Sequence, residues 1–169
     1  MGAAWLNINL NALKANYQYL DSCSEPTCTT GAAVKADAYG LGMVPVSLAL
    51  YDSGCRHFFV AQVDVAVTLR QSFAEKPCHI FVLEGPQAHE LIDYQAYKLT
   101  PVINTADQIE HLVGFNKANF SSLRSALHID TAMSRLGLAP IDIKKLAEHL
   151  TPGGPLPLCL VMSHLACAD

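Results

Sequence analysis

Short apolar runs without polar alternation recur along the chain. They are Ala32-Ala33-Val34 ending at Lys35, His57 to Ala61, His79 to Leu83, Leu99 to Ile103, Ala126 to Asp130, and Leu158 to His164. Runs of this kind, rich in Val, Ile, Leu and Phe, read as strands buried on both faces. Helical spacing fills the stretches between them. Val44 to Asp52 predicts a helix, with Pro45 suited to its first turn and Gly54 to its stop. A second helix is expected from Val63 to Phe73. A third begins at Thr105-x-x-Gln108, a capping-box pattern, and carries Ile109, Leu112 and Val113 on one face. A fourth follows Pro140, with Ile141, Leu146 and Leu150 apolar, and Thr151-Pro152-Gly153-Gly154-Pro155 breaks the chain after it. Near the start, Leu6, Ile8 and Leu10 alternate with Asn. That predicts a strand from Trp5 to Leu10, peripheral to the rest, followed by a helix capped by Asn11 and running through Leu20.

The strand–helix unit repeats every 20 to 33 residues or so (about that spacing suits helix crossovers), so the class is α/β with a parallel sheet. Two architectures fit: an open doubly wound sheet and a β/α barrel. The first strand is not followed by a GxGxxG loop, which lowers the weight of a dinucleotide fold.

Composition narrows the function classes. The chain has 169 residues, 51% hydrophobic and 15% charged, enough apolar content for one domain or a large piece of one. Net charge is -4 and the eleven Lys and Arg are scattered, so nucleic-acid binding is not expected. No apolar run approaches the roughly 18 residues of a membrane span. Met1 to Leu6 lacks a basic stretch followed by an apolar one, so no secretory signal is expected. Leu6 stands where a myristoylation motif takes Ser or Thr. The six cysteines (Cys23, Cys28, Cys55, Cys78, Cys159, Cys167) form no CxxC pair, and buried thiols in a reducing cytoplasm are expected. His164-x-x-Cys167 has no second pair to complete a metal site, so no metal is expected.

In a β/α barrel the chemistry sits at the C-terminal ends of the strands. Lys35 ends the first strand of the series, Leu83 and Glu84 the third, Asp130 through Arg135 follow the fifth, and His164 ends the sixth. Each has a plain alternative. Lys35 could be a solvated charge, Arg135 a partner of Asp130 or of a carbonyl, and His164 a hydrogen-bonded core residue. The context favours chemistry. Small residues flank Lys35 in Val34-Lys35-Ala36-Asp37-Ala38-Tyr39-Gly40-Leu41-Gly42, leaving room for a planar ligand. Tyr39 offers a hydroxyl, and Gly40 and Gly42 permit unusual backbone geometry. A lysine in a partly dry pocket can act as an amine nucleophile toward an aldehyde, and pyridoxal phosphate (PLP) is the cofactor that needs one.

Val34 to Gly40 resembles the PLP-attachment motif of the alanine racemase family. His128-Ile129-Asp130-Thr131-Ala132-Met133-Ser134-Arg135-Leu136-Gly137 resembles that family's second signature, Met162 to Asp169 its third, and Trp5 to Leu13 its opening segment. The resemblance implies a (β/α)8 TIM-type barrel, incomplete here at about six β/α units of its parallel sheet, with a C-terminal β domain absent. Residues 1–169 are then the N-terminal part of the PLP-binding barrel. It implies that Lys35 forms the Schiff base with PLP and serves as one acid/base. Tyr39 would bond the phosphate, and Arg135 would meet the phenolic oxygen and the substrate carboxylate. His164 would sit under the ring, and Leu83 would line the cofactor pocket. The implied protein is a cytoplasmic homodimer acting on alanine.

The chain departs from the family pattern in places. Ala132 replaces a usual Gly, Leu41 stands where many members have His, and His128 stands where many have a lysine, often carbamylated, that orients the arginine. Family members continue well beyond the position of Asp169, into the region that carries the second acid/base, a tyrosine. The expectation is therefore a fragment that racemises poorly. The alternatives are a non-catalytic PLP-binding barrel and a remnant that needs a partner chain.

Overall fold

The computed structural model describes residues 4–120, 122–146 and 154–167. After helix α1 (Leu10–Ser22) the chain alternates strand and helix. It runs through β1 (Ala32–Ala33), the short segment α2 (Lys35–Gly40), α3 (Met43–Asp52), β2 (His57–Val60), α4 (Val63–Phe73) and β3 (His79–Val82). After a 3-10 turn at Ala88–Glu90 come α5 (Leu91–Ala96), β4 (Thr100–Ile103), α6 (Ala106–Ala118), β5 (Ser125–Ile129), α7 (Pro140–Leu146) and β6 (Leu158–Ser163).

The six strands form one sheet in the order β1-β2-β3-β4-β5-β6, and every pair is parallel. A doubly wound sheet reverses its strand order at a switch point, whereas a barrel adds each new strand beside the last. The monotonic order decides between the two architectures: the sheet is an arc of a TIM-type barrel.

Three apolar clusters hold the arc together. On the outer side of β1 to β3, Val34, Phe58, Val60, Ile80 and Val82 pack against Leu50, Leu69, Phe73 and Tyr94. Further along, Ile103 and Leu127 pack against Ile109, Leu112 and Val113 of α6 and Leu146 of α7. Inside the curve, Phe81, Val102 and Ala126 meet Phe59, Leu83, Leu160 and Met162. Side chains alternate between the two sides, and both sides are apolar, which is why the strands read as unbroken runs. Burying one side chain such as Phe58 stabilises the fold by about 1.5–3 kcal/mol.

Local signals explain the helix ends. Gly54, at φ +106, lets the Cys55 N–H reach back to the Leu50 carbonyl at 3.0 Å and close α3. Thr105 caps α6 by accepting from the Gln108 N–H at 3.3 Å. The capping box stays half-formed, because the Gln108 side chain is drawn elsewhere, as described below.

Three sequence expectations are corrected. Residues 4–9 form no strand, and Asn9, not Asn11, caps α1 by accepting from the N–H groups of Asn11 and Ala12. The Leu/Asn alternation near the start finds no sheet face among the described residues, and Trp5 and Leu6 are 92% and 76% exposed. Among the thiols, only Cys55 is buried and Cys78 is half-buried, while Cys23, Cys28, Cys159 and Cys167 are exposed, all of them free. Ile141 faces solvent rather than the core. Leu150 and the Thr151–Gly153 part of the predicted break lie outside the described residues.

Candidate active site

A cavity of about 460 Å³ opens at the C-terminal ends of the strands. Lys35, Tyr39, Leu83, Arg135 and His164, the five residues singled out in the sequence, all line it. Phe59, Ala61, Leu136 and Met162 add apolar wall, and Glu84 and His128 complete the polar part. A mainly apolar lining with a few polar groups, in a volume of about 300–1,000 Å³, is usual for small-ligand clefts.

Lys35 and Tyr39 are placed by an unusual piece of backbone. From Ala36 to Tyr39, four consecutive residues stand at φ of 50, 53, 53 and 57°, a single left-handed turn. For residues with a Cβ this costs about 1–2 kcal/mol each. The turn is tied at several points. The Ala38 N–H donates to the Val34 carbonyl at 3.0 Å, and Gly42 N–H to the Asp37 carbonyl at 2.9 Å. The Met43 N–H donates to Asp37 Oδ1 at 2.7 Å. Ala38 is buried under the turn, and Val34 is anchored to β2 through the Phe59 carbonyl. Tyr39 leaves the turn 64% exposed, with its ring on the cavity.

Arg135 rides on a closed loop after β5. Leu138 N–H donates to the His128 carbonyl at 2.8 Å and Asp130 N–H to the Leu138 carbonyl at 3.1 Å. The Asp130 carboxylate turns onto its own loop, accepting from the N–H groups of Ala132 and Ser134. It is therefore committed to the backbone, and the Asp130–Arg135 pairing considered in the sequence does not form. Gly137 is required here: at φ +108, an added Cβ would lie 2.7 Å from the Asp130 nitrogen. Ala132 stands at φ +85, a conformation that glycine adopts without strain. His164, at the end of β6, is exposed at the mouth, which rules out the core-histidine reading.

Behind the cavity wall runs a buried polar chain that the sequence did not reveal. Gln108 Nε2 donates to the Glu84 carbonyl at 2.9 Å, and Gln108 Oε1 accepts from the Asn104 N–H at 2.8 Å. Asn104 Nδ2 donates to the carbonyls of Leu83 and Val102 at 2.8 and 3.0 Å. Its Oδ1 therefore faces His128 Nδ1, 2.9 Å away, as acceptor. The carbonyl partners fix the amide orientation, so His128 carries its proton on Nδ1 and leaves Nε2 as an acceptor. Burial lowers the His128 pKa below the ordinary imidazole value. His164 and Arg135 push the same way and Asp130 opposes them. The network joins the ends of β3, β4 and β5. The only local trace of it in the sequence is an Asn-Thr pair after a strand.

Comparisons with known proteins agree with this fold. Residues 8–169 match the family model described as alanine racemase, N-terminal domain. The chain is 42% identical over 164 residues to a catabolic alanine racemase of Agrobacterium fabrum, covering 97% of this chain and 42% of that protein. It is 39% identical over 170 residues to an alanine racemase of Rickettsia africae, covering 100% of this chain and 47% of that one. The crystal structure of alanine racemase from Bartonella henselae with covalently bound pyridoxal phosphate superimposes with a TM-score of 0.87 at 33% identity. That match covers 94% of this chain and 46% of the other. The chain thus spans a little under half the length of the curated relatives it matches. With the family match running over nearly its whole length, the chain belongs to the alanine racemase family, in the region of that family's N-terminal domain.

Proposed function

We propose that this chain is the cofactor-holding part of a PLP-dependent racemase that interconverts L- and D-alanine. The observation that carries the reading is the convergence of Lys35, Tyr39, Arg135 and His164 on one strand-end cavity in a chain of this family. The residues fit the group. An amine, a hydroxyl and a guanidinium surround an apolar slot whose neutral His128 adds an acceptor rather than a charge.

PLP, when bound, supplies an electron sink for the charge left as an α-proton departs. Lys35 would hold the cofactor covalently through its amine and, once the substrate's amine has displaced it, would take or return a proton at Nζ on its own face of the substrate. Tyr39 would donate its hydroxyl to the phosphate. Arg135, whose neighbour Asp130 turns onto its own loop, would offer its guanidinium to the phenolic oxygen and the substrate carboxylate. Fixed positive charge there favours the negative charge that develops as the proton leaves. His164 would help support the cofactor ring, and Leu83 and Met162 would exclude water from one wall. Racemisation by two acid/bases needs a second group opposite Lys35, and no cavity residue of the described chain is assigned to it. The reading extends to a homodimeric, cytoplasmic protein that supplies D-alanine for peptidoglycan.

The test adds PLP and L-alanine to the purified chain. A visible band of enzyme-bound cofactor, distinct from free PLP, is expected, and a change in that band when L-alanine is added. Lys35→Ala is expected to abolish the band. A Lys35→Ala variant that binds PLP with the same spectrum overturns the reading.

A further inference from the structure

We propose that Asp37 is a positioning residue: its carboxylate clasps the start of α3 and so holds the left-handed turn that puts Lys35 and Tyr39 on one wall of the cavity. Asp37 does not line the cavity itself. Its Oδ1 accepts from the Met43 N–H at 2.7 Å, and its own carbonyl accepts from Gly42 at 2.9 Å. The residue is thus tied by side chain and main chain to the segment just beyond the turn. Met43 is the first residue of a ten-residue helix, and its N–H has no partner within the helix. A carboxylate is favoured there by the helix dipole.

The handedness gives the clasp its consequence. Lys35 and Tyr39 bracket Ala36, Asp37 and Ala38, and the residues from Ala36 to Tyr39 all stand at positive φ. L-residues return to negative φ unless something holds them. Among the described residues, Asp37 is the member of the turn whose side chain hydrogen-bonds a neighbouring element. Release of the bond lets the turn relax, and the lysine and tyrosine then leave their common wall. Asp37 therefore acts on the cofactor through the backbone rather than by touching it.

The inference rests on the assignment of Lys35 as the PLP lysine, so its test separates the two. Three variants of the whole chain are compared: Asp37→Ala, Asp37→Asn, and Asp37→Ala combined with Ala36→Gly. Two quantities are read, the hydrogen-exchange protection of the Met43 amide without PLP and the apparent Kd for PLP fixed at Lys35. Asp37→Ala is expected to lose the amide protection and weaken PLP binding by about tenfold or more, with a cooperative urea transition retained. Asp37→Asn keeps an acceptor oxygen and is expected to stay near the wild type. Ala36→Gly removes a Cβ from the left-handed turn and is expected to restore much of the PLP binding that Asp37→Ala loses. Wild-type behaviour of Asp37→Ala in both readouts overturns the proposal, as does Asp37→Asn behaving like Asp37→Ala. Failure of Ala36→Gly to restore binding overturns the route through the backbone. A wild-type chain that takes up no PLP at Lys35 overturns the functional reading and the positioning role with it, while the amide protection still reports on the clasp.

Discussion

Replacing Asn104 by Leu removes the middle of the buried chain that ties β3, β4 and β5 together. The side chain is 4% exposed, and its three hydrogen bonds go to the carbonyls of Leu83 and Val102 and to His128 Nδ1. His128 is itself buried, so its Nδ1–H loses its protein partner. That costs about 1–3 kcal/mol, and each carbonyl bond adds about 0.5–1.5 kcal/mol. The expected total is about 2–6 kcal/mol, a large share of the roughly 5–15 kcal/mol that holds a domain folded. Urea denaturation followed by circular dichroism reads the loss as a lowered midpoint. Adding His128→Phe in the same chain removes the stranded donor, so the double variant is expected to be more stable than Asn104→Leu alone. A loss under about 1 kcal/mol, with no gain in the double variant, would refute the assignment of these bonds as the tie between the strand ends.

Two further outcomes follow from single positions. Ala132→Gly is expected to stabilise the chain by about 1 kcal/mol in the same assay, because φ +85 suits glycine and strains alanine. A destabilised Ala132→Gly variant contradicts the strain at that position. Acidification is expected to weaken the fold. Burial lowers the pKa of His57 and His128, with His79 adding to the effect on His57. The unfolded chain then binds more protons than the folded one between the lowered values and about pH 6.5, so this stability is full above about 6.5 and is lost as pH falls. Urea midpoints that decline from neutral to mildly acidic pH, and decline less steeply in His57→Phe, are the expected result; a flat profile contradicts it.

Much of the fold was legible in the sequence, for a physical reason. Strands covered on both sides leave continuous apolar runs, so β2, β3, β5 and β6 match the sequence reading to within a residue or so at each end, and α4 spans the predicted residues. What the sequence did not carry is decided by distant partners. Gln108 was expected to close a capping box with Thr105, but the Asn104 N–H and the Glu84 carbonyl capture its amide. The left-handed turn is tied to Met43 through Asp37, and nothing in Ala36-Asp37-Ala38-Tyr39 by itself signals positive φ. Gly40 and Gly42, at φ +83 and +91, were the one local hint of it. The Leu6, Ile8, Leu10 alternation misled because alternation specifies a strand only where a sheet receives it, and helix α1 begins at Leu10 instead. The five candidate residues meet at one cavity because each ends a strand or follows one, and the arc brings strand ends together.

The central claim is that Lys35 is the lysine that holds PLP. Borohydride reduction of the PLP-treated chain, followed by peptide mass mapping, tests it most directly. One reduced pyridoxyl group on the peptide containing Lys35, absent from Lys35→Ala, is the predicted result. Label spread over the exposed lysines, or unchanged by Lys35→Ala, would contradict it.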